Sequence, residues 1–281
     1  PVSGSWFDSG TLVNASVLSP ADVSGGTRYR CIGWTGAGSV PSSGLTSSVS
    51  FTIGAPSSVT WNWQTQYLLT VTGGNGVVVS GSQTSDSWFD SGSSATATSN
   101  YVWNSVSGQS RNNLYRWNLD GGSWNNIARA NAGTYTTSSI SMSASHTVNF
   151  GDTVQYCLTV TGGQSITYGT LSPTGDNWYD SGTSTTVSSA WVWNTAPGVS
   201  RTAITNYAID LVSQNPARQG TGTLTTSSIS MSTYHAIAFA SVTQYYLTNT
   251  LVSGSVVSVT SSQTSDSWYD SGSGVSVVLN Y

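Results

Sequence analysis

Along most of the chain, apolar residues alternate with Ser, Thr or Asn over short runs that stop at a Gly, Asp or Asn. In Gln66–Val71, Tyr67, Leu69 and Val71 fall on one side and Leu68 and Thr70 on the other. The run GVVVS follows the turn Gly73-Gly74-Asn75-Gly76, which predicts a hairpin. Segments 94–103, 114–119 and 134–150 continue the pattern, the second ending at Asp120-Gly121-Gly122. No stretch of useful length carries a 3.6-residue period, so the fold class expected is all-β.

The pattern repeats. Gln66, Gln155 and Gln244 open the same Q-Y-x-L-T segment, with 155 − 66 = 244 − 155 = 89. T-T-S-S-I-S-M-S begins at Thr136 and again at Thr225. A W-[FY]-D-S-G corner stands at Trp6, Trp88, Trp178 and Trp268. Such a period is too long for a solenoid coil and suits tandem immunoglobulin-like β-sandwich modules. The boundaries predicted are an incomplete module at 1–64 lacking its first strands, complete modules at 65–153 and 154–242, and an incomplete module at 243–281 holding first strands only. At the joints, 58–71, 146–160 and 235–249 run from one module into the next without a Pro break, which predicts short, stiff connections and a rod.

Half-built sandwiches expose edges and apolar surface. One expectation is that the C-terminal half-module of one subunit completes the N-terminal half-module of the next, a head-to-tail strand complementation that makes an open filament. The donating side is then Tyr245, Leu247, Val256, Val257, Val259, Val277 and Leu279, and the receiving side Val13, Val17, Ile32 and Phe51. The other expectation is a piece of a longer repeat protein.

Composition narrows the function classes. Charged residues make up 6% of the 281 positions, with seven basic and eleven acidic residues and a net charge of −4. Every basic residue is Arg and every acidic one Asp. The arginines are scattered along the chain, so no nucleic-acid partner is expected. Apolar runs are too short to span a membrane. The start at Pro1 reads as a processed or fragmentary secreted chain. Without Lys, a Lys–Asn isopeptide cross-link is impossible.

The first module reads WFDSG, then Tyr29-Arg30-Cys31-Ile32-Gly33-Trp34-Thr35-Gly36, SVSFTI at 48–53 and a terminal strand running into WNWQTQYLLTV. This resembles the divergent internalin-type B repeats of bacterial and archaeal cell-surface proteins, module by module. The GWTG element is replaced by Asn118-Leu119-Asp120-Gly121 and Ile209-Asp210-Leu211-Val212 in the second and third modules. The resemblance implies an extracellular, non-catalytic structural or adhesive module, and the composition looks more archaeal than Gram-positive.

The recurring corner is the sharpest candidate for chemistry. Asp86/Asp90, Asp176/Asp180 and Asp266/Asp270 each place two hard oxygen donors four residues apart, a Ca2+ candidate. Against it, Gly4 replaces the first Asp in the first copy, and no D-x-D-x-D-G loop occurs. The competing reading is a turn in which Asp accepts from nearby backbone N–H groups and Gly supplies the positive φ. Neither a metal nor a cofactor is expected.

His146 and His235 share one repeat position, which points to structure rather than catalysis, and the chain is not expected to be an enzyme. Tyr101/Trp103 and Trp191/Trp193 are candidates for stacking on sugars, for the core, or for module contacts. Asn14 lies in an N-glycosylation sequon. Cys31 and Cys157 show no metal-ligand spacing and sit in different modules, leaving free thiols or a bridge between subunits. The function expected is a building block of an extracellular filament or surface coat, its partner being copies of itself. The alternative is an adhesin stalk or carbohydrate-binding region of a larger cell-surface protein.

Overall fold

The computed structural model describes residues 4–82, 84–250 and 256–280, and these form strands and turns with no helix. The chain divides into two compact units. The first comprises Pro1–Tyr101, Leu114–Ala128 and Ala132–Asp152, and the second Val102–Asn113, Arg129–Asn131 and Thr153–Tyr281.

In the first unit, the strand Thr27–Ala37 runs antiparallel to Ser58–Thr72, from Thr27 opposite Tyr67 to Ala37 opposite Ser58, with a bulge between Cys31 and Gly33. Leu12–Ser16 pairs with Ser48–Thr52. Trp34, Val40 and Val49 form a core against Phe51, Val59 and Trp61. The C-terminal part of Ser58–Thr72 then lies parallel to the start of His146–Thr161, His146 opposite Leu69. Ser94–Asn100 is paired on one edge by Val78–Ser80 and on the other by Thr134–Thr136 and Ile140–Ser141. Its Ala95, Ala97 and Ser99 face inward and are buried, while the residues between them are half-buried, the period-two pattern of a strand over a core.

The second unit repeats these relationships. Ser200–Ile209 runs antiparallel to His235–Tyr246, and Leu158–Thr161 pairs in parallel with His235–Ala238. Its core gathers Leu158, Tyr179, Val187, Ile204, Met231 and Ile237. The double-glycine turns follow from a close approach of backbones. A Cβ on Gly73 would stand 2.3 Å from the Phe150 carbonyl oxygen, and one on Gly162 2.2 Å from that of Phe239.

The joint sequences are strands over all but the last three residues of the third. Ser58–Thr72 and His146–Thr161 span the first two joints without interruption, and His235–Tyr246 stops short of the predicted end at 249. Proline is absent from their interiors, so no ladder donor is removed, and Gly151 is the single glycine within them.

Candidate functional site

The corner is built the same way in all four copies. The N–H groups of Thr11, Ser93, Thr183 and Ser273 donate to the carbonyl oxygens of Asp8, Asp90, Asp180 and Asp270 at 3.0–3.1 Å. Gly10, Gly92, Gly182 and Gly272 take φ between 81° and 88°, the left-handed value this turn requires at its third residue. The turn prediction needs one correction. The carbonyl of the second Asp closes the turn, and its carboxylate is free to point elsewhere.

In three copies that carboxylate points to a buried glutamine. Gln66, Gln155 and Gln244 are fully buried. Each lies opposite the second corner Asp in the adjacent strand: Gln66 to Asp90, Gln155 to Asp180, Gln244 to Asp270. The amide Nε2 donates to the carboxylate at 2.7, 3.0 and 2.9 Å. The amide Oε1 accepts from the Nε of Arg28, Arg111 and Arg201 at 2.8, 2.9 and 2.8 Å. Cation, amide and anion thus form a relay whose polarity fixes which way each amide faces.

The same arginines carry the first corner Asp. Arg28, Arg111 and Arg201 approach Asp86, Asp176 and Asp266 at 2.8, 2.9 and 2.8 Å. Their guanidiniums also donate to Thr84, Thr174 and Thr264, whose hydroxyls donate in turn to those carboxylates. Each guanidinium lies over a corner indole, at 4.5 Å from Trp88, 4.5 Å from Trp178 and 4.6 Å from Trp268. A cation over Trp contributes roughly 0.5–2 kcal/mol, more as it is desolvated. A second arginine closes each cluster: Arg30 on Asp90 at 3.5 Å, Arg129 on Asp180 at 2.7 Å and Arg218 on Asp270 at 2.6 Å.

Each cluster therefore balances two guanidiniums against two carboxylates. Burial by itself raises the carboxyls of Asp86 and Asp270. Hydrogen bonds from Thr84 and Arg28 at the first, and from Arg218 and Gln244 at the second, outweigh that and hold both below the ordinary carboxylate value. The paired aspartates do not converge on one point. Asp86 turns to Arg28 and Asp90 to Gln66 and Arg30, so a Ca2+ ion would have to displace guanidiniums that already neutralise them. No group of three metal-ligating side chains occurs among the described residues.

The arginines that look scattered along the sequence are thus the organising element, and sequence reasoning missed them along with Thr84, Thr174 and Thr264. A signal was present. Thr-x-Asp precedes the Trp of three corners, and Arg28, Arg111 and Arg201 each stand second in a strand.

The first corner has no such cluster among the described residues. Trp6 is 99% exposed and Phe7 39%, whereas Phe89 and Tyr179 in the same position are buried at 0% and 1%. Beside Phe7 opens a cleft of about 420 Å³ lined by Val13, Ala15, Phe51, Val59 and Trp61. Of the predicted receiving residues, Val13 is buried, Val17 and Phe51 half-buried and Ile32 exposed. Only Val13 and Phe51 line the cleft. On the donating side, Tyr245 and Val277 are exposed and Leu247 and Val259 half-buried. The side chains of Val256, Val257 and Leu279 lie outside the described residues. Asn14 is exposed on its strand.

The histidines pin turns. His146 Nδ1 meets Asp120 Oδ2 at 2.7 Å, and His235 Nδ1 meets Asp210 Oδ2 at 2.6 Å. The other oxygen of each Asp accepts the N–H of Thr147 or Ala236. Trp191 is buried, while Tyr101, Trp103 and Trp193 are half-buried. Tyr29 and Trp63 form an exposed aromatic pair, which with Ala21 and Asp22 lines a cleft of about 460 Å³. Cys31 and Cys157 are free and buried. Burial pushes the Cys157 thiol above its ordinary value.

Compared with family models, curated proteins and solved structures, the chain matches none. Its strands and cores define an all-β chain of the β-sandwich class. Among the described residues, no helix is long and apolar enough to cross a membrane.

Proposed function

We propose that the chain is a structural subunit of an extracellular filament or surface coat, built of tandem immunoglobulin-like sandwiches and assembled head-to-tail through its half-built ends. The reading rests on one observation. Three corners are clamped by an arginine from the preceding sequence repeat, and the first corner stands without a clamp among the described residues, beside an open apolar cleft. A chain that fastens repeat to repeat by one device, and presents an unused half of it, is suited to fasten copy to copy. The likeness of its motifs to internalin-type B repeats supports a cell-surface location. Electron microscopy of the purified chain tests the proposal: long uniform fibres support it, and their persistence after deletion of 243–281 removes strand complementation as the mechanism.

A second reading has its own support. Tyr29 and Trp63, exposed beside the Asp22 carboxylate, suit the C–H faces and hydroxyls of a sugar, as an adhesin stalk or carbohydrate-binding region would require. Titration with oligosaccharides, read by quenching of Trp63 against a Trp63→Ala control, separates the two.

A further inference from the structure

We propose that two copies of this chain join by exchanging corners: Trp6-Phe7-Asp8 of one copy takes the place of Trp268-Tyr269-Asp270 on the Gln244–Tyr246 edge of the other. This rests on the head-to-tail reading and names its interface.

The two elements are near-identical. Ser5–Gly10 reads SWFDSG and Ser267–Gly272 reads SWYDSG, differing only in Phe7 against Tyr269. Both close the same turn, with φ of 88° at Gly10 and 81° at Gly272. Exchange of an identical element between protomers is a low-cost route to association, because the pairing given up within one chain is remade between two.

The complete repeats show what a corner requires. Its backbone pairs with a Gln-Tyr strand, its Asp takes the Gln amide, and its Trp lies under an arginine. Trp6–Asp8 has none of these among the described residues. The Gln244–Tyr246 edge supplies all three, together with Arg201 and Arg218.

Two further features fit the incoming chain. Leu69 and Leu158, three residues after their glutamines, are buried at 2% and 1% in the complete repeats. Leu247, three after Gln244, is half-buried, and the cleft beside Phe7 is open to receive it. In addition, Leu12–Ser16 pairs on one edge only among the described residues, whereas its counterpart Ser94–Asn100 pairs on both. The strand Val256–Val259 is the counterpart of Val78–Ser80 and pairs with Val277–Asn280 in its own chain, so on exchange Val259 would leave Val277 to face Ala15 as Val79 faces Ala97, a second pairing given up and remade.

The balance sets the conditions. The resident corner is tethered, which gives it an effective concentration on the order of millimolar. It also carries Asp266, where the incoming corner has Gly4, so the Arg201–Asp266 pair is broken on exchange. Against this, the incoming corner brings a sandwich that closes over Leu247. Association is therefore expected to rise with concentration rather than be complete at once.

The test uses the full chain in sedimentation velocity, with Trp6→Ala and Asp8→Ala beside wild type. Both residues are exposed in the free chain, so thermal melts of the variants should match wild type. Wild type should self-associate with rising concentration, and Trp6→Ala should weaken this about 30-fold, the loss of one tryptophan at an interface hot spot. A labelled peptide of residues 4–11 should bind the chain and compete with association, and its Trp→Ala form should not. Association that survives both variants and ignores the peptide overturns corner exchange and leaves head-to-tail assembly by another route. A chain that stays monomeric but binds the peptide keeps the corner chemistry and removes the filament. A monomer that binds no peptide overturns both.

Discussion

Gln155 faces Asp180 across two antiparallel strands, donating its Nε2 to Oδ1 at 3.0 Å while its Oε1 accepts from Arg111 at 2.9 Å. A neutral amide here does what neither charge could. A carboxylate would repel Asp180 and an ammonium would repel Arg111. Only a group that donates on one side and accepts on the other serves both neighbours.

Replacing Gln155 with Leu keeps the volume and strands both partners. The expected cost is about 1–3 kcal/mol for the unpaired groups left behind. That corresponds to about 2–4 °C of melting temperature for each kcal/mol. Gln155→Glu should be worse at neutral pH, since it sets a second carboxylate against Asp180, and should recover toward wild type in acid as that carboxylate takes a proton. Melts of the three proteins at two pH values check this.

Acid should loosen the chain from the carboxylate side. Asp86, Asp120, Asp210 and Asp270 lie below the ordinary value of 3.8 once folded, because hydrogen bonds and opposite charge outweigh burial. A depressed folded value means the contribution is fully present above 3.8 and is lost as pH falls through the folded value. Denaturant midpoints measured downward from pH 5 should therefore decline below about pH 4. Asp270→Asn should start lower and decline less.

The turn aspartates should act locally. Asp120→Ala removes the acceptor of both His146 and the Thr147 N–H. Because that side chain is about half exposed, the expected loss is only about 0.5–1 kcal/mol. Hydrogen exchange should show it as faster exchange at Thr147, with the amides of the Gln66 cluster unchanged.

Two glycines of equal backbone strain should part company. Gly73→Ala meets both a positive φ of 68° and the Phe150 carbonyl at 2.3 Å, while Gly108→Ala has φ of 65° and no neighbour within 4 Å. The left-handed backbone costs about 1–2 kcal/mol in each. Overpacking adds about 1–3 kcal/mol in the first alone. Equal losses in chemical denaturation would rule out the close approach as the reason for Gly73.

Which features were legible in the sequence follows from how far apart their parts lie. The all-β class and the joint strands could be read because alternation is a local signal and Ser58–Thr72 carries it unbroken. The corner could be read because Asp90 and Ser93 close their turn within four consecutive residues. The clusters were legible only in their Thr-x-Asp half. Arg111 sits 65 residues from Asp176, and Arg218 sits 52 from Asp270, a distance at which no spacing rule applies. The second arginine does not even hold its place: Arg30 comes from a strand, whereas Arg129 and Arg218 come from loops. Position along the chain varied, and only the charge required opposite the second Asp remained constant.

The arginine clusters also bear on resistance to proteolysis. With no lysine, the chain offers a trypsin-like protease only the seven bonds that follow arginine, because such an enzyme needs a basic side chain in its specificity pocket. Six of those seven side chains are committed to aspartate, and the seventh, Arg116, is stacked on Trp124 at 4.2 Å. The groups that fasten the repeats are thus the same groups a digestive enzyme must grasp. Cleavage has to wait for a clamp to open.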